Sequence, residues 1–264
     1  MKNKVILISI DGMRPDGLKA CGNPYVETME KTCAYSYEAK TVFPSETLQT
    51  HMSMVRSVPP QEHGVLTYRY TKPVCQAKGL FETIQRGGKK GGSAMFYGWE
   101  PLRDISRPSN LSYSTFIKIG SVPENVDVLL TDEAERAITK RMEYGNPFDF
   151  VFLYLPETDE EGHKNGWMTD TYLQRISTAI DCVKRMVESF GEEYEIILMT
   201  DHGGHDKTHG LDIPEDMTIP LFFYGENFEA GRILEGLSIM DIAPTVTKLL
   251  GVEPDENWRG KAVI

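Results

Sequence analysis

Cysteine is scarce in this chain of 264 residues, and no two of its four cysteines form a Cys-x-x-Cys pair. This spacing argues against a thiolate zinc site and a dithiol redox motif, so we expect free thiols. No apolar run approaches the roughly 20 residues of a membrane span, and the first apolar run is too short for the core of a signal peptide. Acidic residues outnumber basic ones, and the net charge of −11 argues against non-specific nucleic-acid binding. We therefore expect a cytoplasmic protein without membrane contact and without a nucleic-acid polymer as partner.

The pattern of the chain indicates one α/β domain that spans residues 1–264. Hydrophobic residues make up 40% of the sequence, enough for a substantial core. Apolar runs alternate with helical patterns, which predicts a sheet with helices on both faces. We predict helices over Asp132–Tyr144 and Thr169–Phe190, and a third that opens near Ser238 and ends at Leu250 before Gly251. Residues 65–125 are rich in Gly, Tyr, Ser and Pro, and we expect an irregular insertion on the substrate side there.

Half of the histidines crowd into one short segment. Three of the six lie within residues 200–209, directly after the apolar run Glu195–Met199. That run has the composition of a buried strand, so Asp201 and His202 would emerge at its carboxyl end. Ligands of open α/β sheets bind at this end of the strands. The segment is therefore a candidate metal site.

Two further apolar runs also end in carboxylates. Asp11 follows Val5–Ile10 at once, and the run Phe150–Leu155 precedes Asp159 and His163. Asp159 and His163 are four residues apart, so their side chains would share one face of a helix. Carboxylate oxygens mixed with imidazole nitrogens suit zinc or manganese better than calcium.

With these motifs in place, the sequence resembles the type I phosphodiesterase and nucleotide pyrophosphatase family of the alkaline phosphatase superfamily. The order and spacing of the motifs match that family across most of the chain. The motifs are Ile10-Asp11-Gly12-Met13-Arg14-Pro15-Asp16, the segment Pro44 to Met54, Pro60-x-x-His63-Gly64, Asp159-x-x-Gly162-His163 and Asp201-His202-Gly203-Gly204. The resemblance implies an alkaline-phosphatase-like three-layer α/β/α fold with a central, mostly parallel sheet.

The resemblance also implies a first metal and a nucleophile. Asp11, Asp201 and His202 match the ligands of one zinc ion. Thr47 matches the family's nucleophile, which also touches that metal, and it stands four residues before His51. Two neighbouring hydroxyl residues, Ser45 and Thr50, remain alternatives.

A second metal follows from the same comparison of motifs. Asp159 and His163 match two of its ligands, and a third histidine is expected later in the chain. We assign His209 to that role, with His205 as the alternative that spacing alone leaves open. The expected cofactors are thus two divalent ions, Zn²⁺ first and Mn²⁺ second. We expect His51 and His63 to pack in the interior or support the ligands rather than bind metal.

The residue types suit hydrolysis of a small phosphate ester. A threonine hydroxyl is a poor nucleophile near neutral pH, and a divalent cation makes its alkoxide accessible. Attack by Thr47 would give a phosphothreonine that water then hydrolyses. Tyr68 stands where many relatives have an asparagine that contacts a phosphoryl oxygen. Its phenol can donate one hydrogen bond to substrate, and Arg69 can add a charge-assisted contact.

Other activities are compatible to different degrees. A phosphomonoesterase or a phosphonate hydrolase would use the same core and is the main alternative to a phosphodiesterase. Type I sulfatases need a Cys/Ser-x-Pro-x-Arg motif, which does not occur near Thr47. Cofactor-independent phosphoglycerate mutases insert a large second domain for which this chain has no room. A binding module braced by metal would not need a hydroxyl at Thr47.

Overall fold

A seven-stranded sheet forms the centre of the molecule in the computed structural model, which describes residues 2–69 and 71–264. The strands occur in the order β2-β7-β6-β1-β5-β3-β4; β7 pairs antiparallel with β2 and β6, and the other four pairs are parallel. The predicted mostly parallel sheet is therefore confirmed. The strands are β1 (Val5–Ile10), β2 (Ala34–Lys40), β3 (Ser93–Tyr97), β4 (Tyr113–Phe116), β5 (Phe150–Leu155), β6 (Glu195–Met199) and β7 (Thr218–Tyr224).

Helices cover both faces of this sheet. Side chains alternate along a strand, so β1 sends Ile6, Ile8 and Ile10 to one apolar layer and Val5 and Leu7 to the other. The α-helices are α1 (Pro15–Ala20), α2 (Tyr25–Thr32), α3 (Thr47–Arg56), α4 (Pro60–His63), α5 (Leu80–Arg86), α6 (Val126–Glu143), α7 (Glu157–Asn165), α8 (Asp170–Phe190), α9 (Pro214–Met217) and α10 (Ile242–Leu250). Helices α1, α2, α6 and α8 contribute to the first layer, and α3, α5 and α10 contribute to the second. The three-layer α/β/α arrangement is confirmed.

The helix boundaries follow from capping residues. Helix α8 begins after Thr169, whose hydroxyl accepts a hydrogen bond from the Tyr172 amide, as the predicted start requires. Helix α10 ends at Leu250 because Gly251 takes a left-handed conformation with φ 66°. The predicted start of α6 at Asp132 was wrong. Asn125 caps that helix, so it begins at Val126.

The segment 65–125 is only partly irregular. It contains α5, β3 and β4, together with two short 3₁₀ helices, Glu100–Ile105 and Pro108–Asn110. Strands β3 and β4 belong to the central sheet, so this part of the segment is scaffold. A substrate-side role for the rest stays a prediction.

The three strands that carry the candidate ligands lie side by side at the middle of the sheet. Strand β1 pairs in parallel with β5 on one side and with β6 on the other. Their carboxyl ends therefore meet at one edge, which places the segments after Ile10, Leu155 and Met199 next to one another. Among the described residues, no helix has both the length and the apolar character that crossing a bilayer requires.

Candidate active site

Asp11, Asp201, His202 and Thr47 converge at this edge of the sheet. Nε2 of His202 lies 3.2 Å from Asp11 Oδ1, 3.3 Å from Asp201 Oδ2 and 3.1 Å from Thr47 Oγ1. The first three residues are at most 2% exposed and Thr47 is 8% exposed. The ligand atoms of Asp11, Asp201 and His202 all lie within 4.8 Å of one another. The structure thus brings together the whole first set that the sequence predicted.

Glycines next to these ligands allow the close approach. Gly12 has φ 67°, and a Cβ there would lie 3.0 Å from side-chain atoms of Asp159. The Gly12 amide donates to Asp201 Oδ1 at 3.2 Å and so links the ends of β1 and β6. A Cβ at Gly203 would lie 1.9 Å from the carbonyl oxygen of Glu215. The close contacts at Gly12 and Gly203 therefore require glycine at these two positions.

A second set surrounds Asp159 on the first turn of α7. Its Oδ1 lies 3.6 Å from His209 Nε2, and its Oδ2 lies 3.4 Å from His163 Nε2. The rings of His202 and His209 stack with centroids 3.8 Å apart. The tightest group in this region is Asp159, His202 and His209, whose ligand atoms lie within 4.8 Å of one another. His163 lies beside this group, and its side chain is 43% exposed.

Hydrogen bonds to backbone carbonyls fix the orientation of the three imidazoles. Nδ1 of His202 is 2.7 Å from the Gly203 carbonyl, and Nδ1 of His209 is 2.9 Å from that of Ser45. Nδ1 of His163 is 3.0 Å from the Lys207 carbonyl. A carbonyl oxygen only accepts, so Nδ1 carries the hydrogen in each ring. Nε2 of each ring is then the nitrogen that faces the carboxylates and that carries the lone pair in the neutral imidazole, the arrangement typical of metal-binding histidines.

The charges of the cluster call for a cation. Burial and the charge on Asp11 raise the pKa values of Asp159 and Asp201 well above the ordinary range. Burial would also raise the pKa of Asp11, but in metal-free protein the neighbouring His202, whose own pKa is raised by Asp201 and Asp11, outweighs it and lowers the pKa of Asp11 to about 2. Burial and the charge on His202 lower the pKa of His209 to about 3. The carboxylates of Asp11, Asp159 and Asp201 thus share little positive charge, and their mutual repulsion would be relieved by divalent ions.

Unpaired oxygens provide an independent test of whether metal ions fit here. Among the described residues, Asp11 Oδ1 and Asp159 Oδ1 are buried without a hydrogen-bond partner. An orphaned carboxylate oxygen in the interior is costly unless a cation or water satisfies it. The donors are carboxylate oxygens and neutral imidazole nitrogens, a set that suits zinc or manganese. The residues present therefore fit metal ions at both sets.

The three hydroxyl candidates have different surroundings. Thr47 is the first residue of α3, and its Oγ1 faces His202 as described above. Ser45 donates to the carbonyl of Leu211 at 3.1 Å. Thr50 donates to the carbonyls of Glu46 at 3.0 Å and of Thr47 at 2.9 Å, and its Oγ1 lies 3.4 Å from Asp201 Oδ2. Of these three, Thr47 is the one that lines the pocket described next.

A pocket of about 260 Å³ opens onto both sets. Its polar wall includes Asp11, Thr47, Asp159 and His209, and Tyr68 lies at its exposed side with 65% of its surface accessible. Arg69 is exposed and is not one of the described residues that line the pocket. A larger cavity of about 540 Å³ lies beside β3 and β4, away from the candidate ligands. The smaller pocket is the candidate active site because Thr47 and members of both predicted ligand sets line it.

The other three histidines have further partners, and Nδ1 of His51 also lies 3.4 Å from Asp201 Oδ2. Nδ1 of His205 lies 2.8 Å from Asp216 Oδ1, so its ring is turned to that carboxylate. His51 contacts the Thr47 carbonyl with Nδ1 and Ser9 Oγ with Nε2, at 2.7 and 3.0 Å. In His63, Ser53 Oγ and the Val65 amide contact the two ring nitrogens. His51 and His63 thus use both nitrogens in packing contacts, as expected.

Sequence reasoning missed several residues that shape the site. The hydroxyl of Tyr154, the fifth residue of β5, donates to Asp11 Oδ2. Trp99, Gln49 and Glu46 line the pocket. Tyr154 belongs to a continuous apolar run, so nothing in the sequence separates it from core residues. Glu46 precedes Thr47 directly, and that adjacency was the one available signal.

Comparisons with known proteins identify the family of the chain. A family model described as type I phosphodiesterase / nucleotide pyrophosphatase matches residues 5–215. The chain is 23% identical over 224 residues to a bis(5'-adenosyl)-triphosphatase of Mus musculus, covering 76% of this chain and 47% of that protein. The chain thus spans about half the length of this curated relative.

Two solved structures show the same fold. An inactive murine ectonucleotide pyrophosphatase/phosphodiesterase 5 in complex with AMP gives a TM-score of 0.76 at 15% identity, covering 95% of this chain and 96% of that chain. The phosphonate monoester hydrolase of Silicibacter pomeroyi gives 0.74 at 13% identity, with 98% and 75% covered. The predicted alkaline-phosphatase-like fold is confirmed. Because the family model covers most of the chain, the protein belongs to the type I phosphodiesterase/nucleotide pyrophosphatase family.

Proposed function

We propose that this protein is a metal-dependent phosphohydrolase that cleaves phosphodiesters of small molecules with Thr47 as nucleophile. The observation that carries the proposal is the position of the Thr47 hydroxyl. It lies 3.1 Å from His202 Nε2, beside the buried oxygens of Asp11 and Asp201, and it lines the pocket. A hydroxyl among metal-type ligands at the floor of a pocket suits nucleophilic catalysis better than a structural metal site, which protein ligands would close.

The composition of the pocket wall supports a requirement for metal. Among the described lining residues there is no lysine or arginine, whereas Asp11, Glu46, Asp159 and Glu160 are acidic. A phosphate group carries negative charge and would be repelled by this wall in the absence of cations. Divalent ions at the two sets would reverse the local charge. They would also polarise the phosphoryl group and make the alkoxide of a coordinated hydroxyl accessible.

We assign Asp11, Asp201, His202 and Thr47 to one ion and Asp159, His163 and His209 to the other. The close approach of His202 to His209 and Asp159 places the two sets next to each other. Zinc is our first choice for both ions and manganese the second, because aspartate and neutral histidine suit each of them. Metal analysis of a His163→Ala variant would test two parts of this assignment. These are the number of ions bound and the role of the exposed His163 as a ligand.

Each side chain has its own role in the proposed two-step reaction. Thr47 Oγ attacks phosphorus, an Oγ–P bond forms, and the bond from phosphorus to the leaving oxygen breaks as that oxygen leaves as an alcohol. Water then attacks the phosphothreonine, which releases the phosphate product and restores the threonine hydroxyl. Tyr154 holds Asp11 through its hydroxyl, and the Gly12 amide holds Asp201, so both carboxylates are oriented before substrate binds.

The substrate class rests on the relatives and on Tyr68. The murine neighbour was solved with AMP, and the Mus musculus relative is named for a bis-adenosyl triphosphate. Tyr68 lines the pocket, where its phenol can donate to a phosphoryl oxygen of a nucleotide-type diester. Arg69 lies next to it in sequence and would have to turn toward the pocket to contact phosphate. The expected cytoplasmic location stays a prediction.

A phosphonate or monoester hydrolase is the second candidate. A phosphonate monoester hydrolase shares the fold, and Tyr68 replaces the asparagine of many relatives. The decisive experiment compares turnover of bis(p-nitrophenyl) phosphate, p-nitrophenyl phosphate and p-nitrophenyl phenylphosphonate by zinc-loaded protein. We expect the diester to be cleaved fastest, with no turnover in Thr47→Ala. Faster monoester or phosphonate cleavage would support the second candidate, and equal activity of the variant would exclude Thr47 as nucleophile.

A further inference from the structure

Trp167 lies beneath the candidate site. It contacts the segments that follow the three central strands β1, β5 and β6. The indole is 6% exposed, and it belongs to the apolar layer on the α8 side of the sheet. It follows the predicted ligand His163 by four residues in sequence. Each of these segments follows a different strand, so a residue that contacts all of them can fix their relative positions.

The first contact is with the loop after β1. The indole Nε1 donates to the carbonyl oxygen of Gly12 at 2.9 Å. The hydroxyl of Tyr172 donates to the same oxygen at 2.8 Å. Gly12 follows Asp11 directly, so these two bonds fix the peptide group beside the first carboxylate.

Helix α7, which follows β5, and the loop after β6 both pack against the ring. A Cβ at Gly162 would lie 2.7 Å from three indole carbons, and a Cβ at Gly204 would lie 2.2 Å from Cε2 of Trp167. Gly162 precedes His163, and Gly204 is two residues after His202. The indole therefore occupies space that is open only because Gly162 and Gly204 have no Cβ.

The ring also contacts two of the predicted histidine ligands. Its centroid is 5.2 Å from that of His163, with the planes at 86°, and 6.0 Å from that of His209, with the planes at 67°. The Trp167 backbone amide donates to the carbonyl of Asp206 at 2.8 Å, which joins it to the loop that carries His209. These edge-to-face contacts restrict rotation of both imidazoles.

We propose that Trp167 is a positioning residue that sets the geometry of both metal sites by bracing their ligand loops against one rigid ring. It binds no metal and no substrate. It holds the peptide after Asp11, the helix turn before His163 and the loop after His202 at fixed separation. The inference rests on the metal binding proposed above, and it goes further by assigning the spacing of the two ligand sets to one side chain.

Metal affinity tests this role directly. Zinc and manganese binding to metal-stripped protein would be measured by competition with a chromophoric chelator, in the wild type and in Trp167→Phe. The phenylalanine keeps an aromatic ring but loses the N–H bond to Gly12 and part of the volume. We expect the affinity for at least one ion to fall about 10- to 100-fold, the usual effect of removing a group that orients metal ligands. Tyr172→Phe, which removes the other bond to the Gly12 carbonyl, should lower affinity by a smaller factor.

Trp258 provides a matched control. Its indole Nε1 also donates to a backbone carbonyl, that of Lys78, at 2.8 Å, and it packs on the opposite apolar layer. Trp258→Phe should lose a similar amount of stability in urea unfolding of the metal-free protein, with metal affinity unchanged. A general structural effect would lower affinity in both variants alike, and this result would overturn the proposal.

The remaining outcomes separate this inference from the proposed function. Wild-type affinity in Trp167→Phe would overturn the positioning role while leaving the hydrolase proposal intact. Absence of metal binding by the wild type would overturn both. Selective loss of affinity in Trp167→Phe with native circular dichroism would support the role, even if turnover on the test esters were absent.

Discussion

Replacing Thr47 by alanine removes one hydroxyl and one methyl group from the floor of the pocket. The hydroxyl has a single side-chain partner among the described residues, His202 Nε2 at 3.1 Å. His202 keeps its bond from Nδ1 to the Gly203 carbonyl, so the ring stays in place when the hydroxyl is lost. Helix α3 also keeps its start, because alanine is a good helix former at the first position. The variant should therefore fold and keep its ligand residues.

The expected magnitudes for stability and activity differ widely. Loss of one neutral hydrogen bond and one buried methyl should lower the free energy of unfolding by about 1 to 2 kcal/mol. Loss of a nucleophile typically costs on the order of 10⁴ to 10⁶ in turnover, which corresponds to roughly 5 to 8 kcal/mol in activation free energy. The gap between these values distinguishes a catalytic hydroxyl from a packing one. Thr47→Ser retains the hydroxyl and should keep substantial activity.

The assay is diester turnover by metal-loaded protein, with metal content measured on the same sample. Ser45→Ala is the matched control, because its hydroxyl donates to the backbone carbonyl of Leu211. Thr50→Ala does not serve as a control, because the Thr50 hydroxyl also lies 3.4 Å from Asp201 Oδ2. We expect less than about a tenfold loss in Ser45→Ala, since removal of one neutral hydrogen bond costs little. Loss of turnover in the control together with activity in Thr47→Ala would refute the assignment. So would loss of bound metal in Thr47→Ala equal to its loss of activity.

Three further predictions concern metal, packing and pH. Dialysis against a chelator should abolish turnover and lower the melting temperature, and added zinc or manganese should restore both, because the ions bind the folded state; calorimetry with and without chelator checks this. Gly204→Ala should destabilise the protein by about 1 to 3 kcal/mol in urea, because its Cβ would lie 2.2 Å from Trp167, whereas Gly79→Ala, whose Cβ would lie 4.0 Å from the Ile105 carbonyl oxygen, should cost less than about 1 kcal/mol. Burial lowers the pKa of His63 from 6.5 to about 4. Below pH 6.5 the unfolded chain therefore gains a proton at this position that the folded protein does not take up until about pH 4, and folding stability falls as the pH drops through that window. In metal-free protein, the loss of stability between pH 7.5 and pH 5 should be smaller by about 2 kcal/mol in His63→Gln than in wild type, and equal losses would contradict this.

Much of the fold could be predicted because its signals are local. Continuous apolar runs such as Val5–Ile10 indicated strands buried on both faces, and they occur as β1, β5 and β6. Thr169 and Gly251 predicted helix ends because capping depends on one residue and its own backbone. The start of α6 was missed because its first six residues, Val126 to Thr131, have no clear amphipathic period. Only the cap at Asn125 marked it.

The sequence by itself determined which residue types stand at the ends of three buried strands, and hence the kind of site. Parallel neighbours bring their carboxyl ends to one edge, so the convergence of Asp11 and Asp201 follows from the strand pattern. The sequence motifs also indicated the family to which the chain belongs.

Only the tertiary structure decided how side chains far apart in sequence meet, because those distances depend on loop paths that no local pattern encodes. It turns His205 to Asp216 and brings His209 to Asp159. It places His202 between the two ligand sets and sets Trp167 beneath the loops that carry them. These contacts arise from packing between elements, and packing is a property of the whole chain.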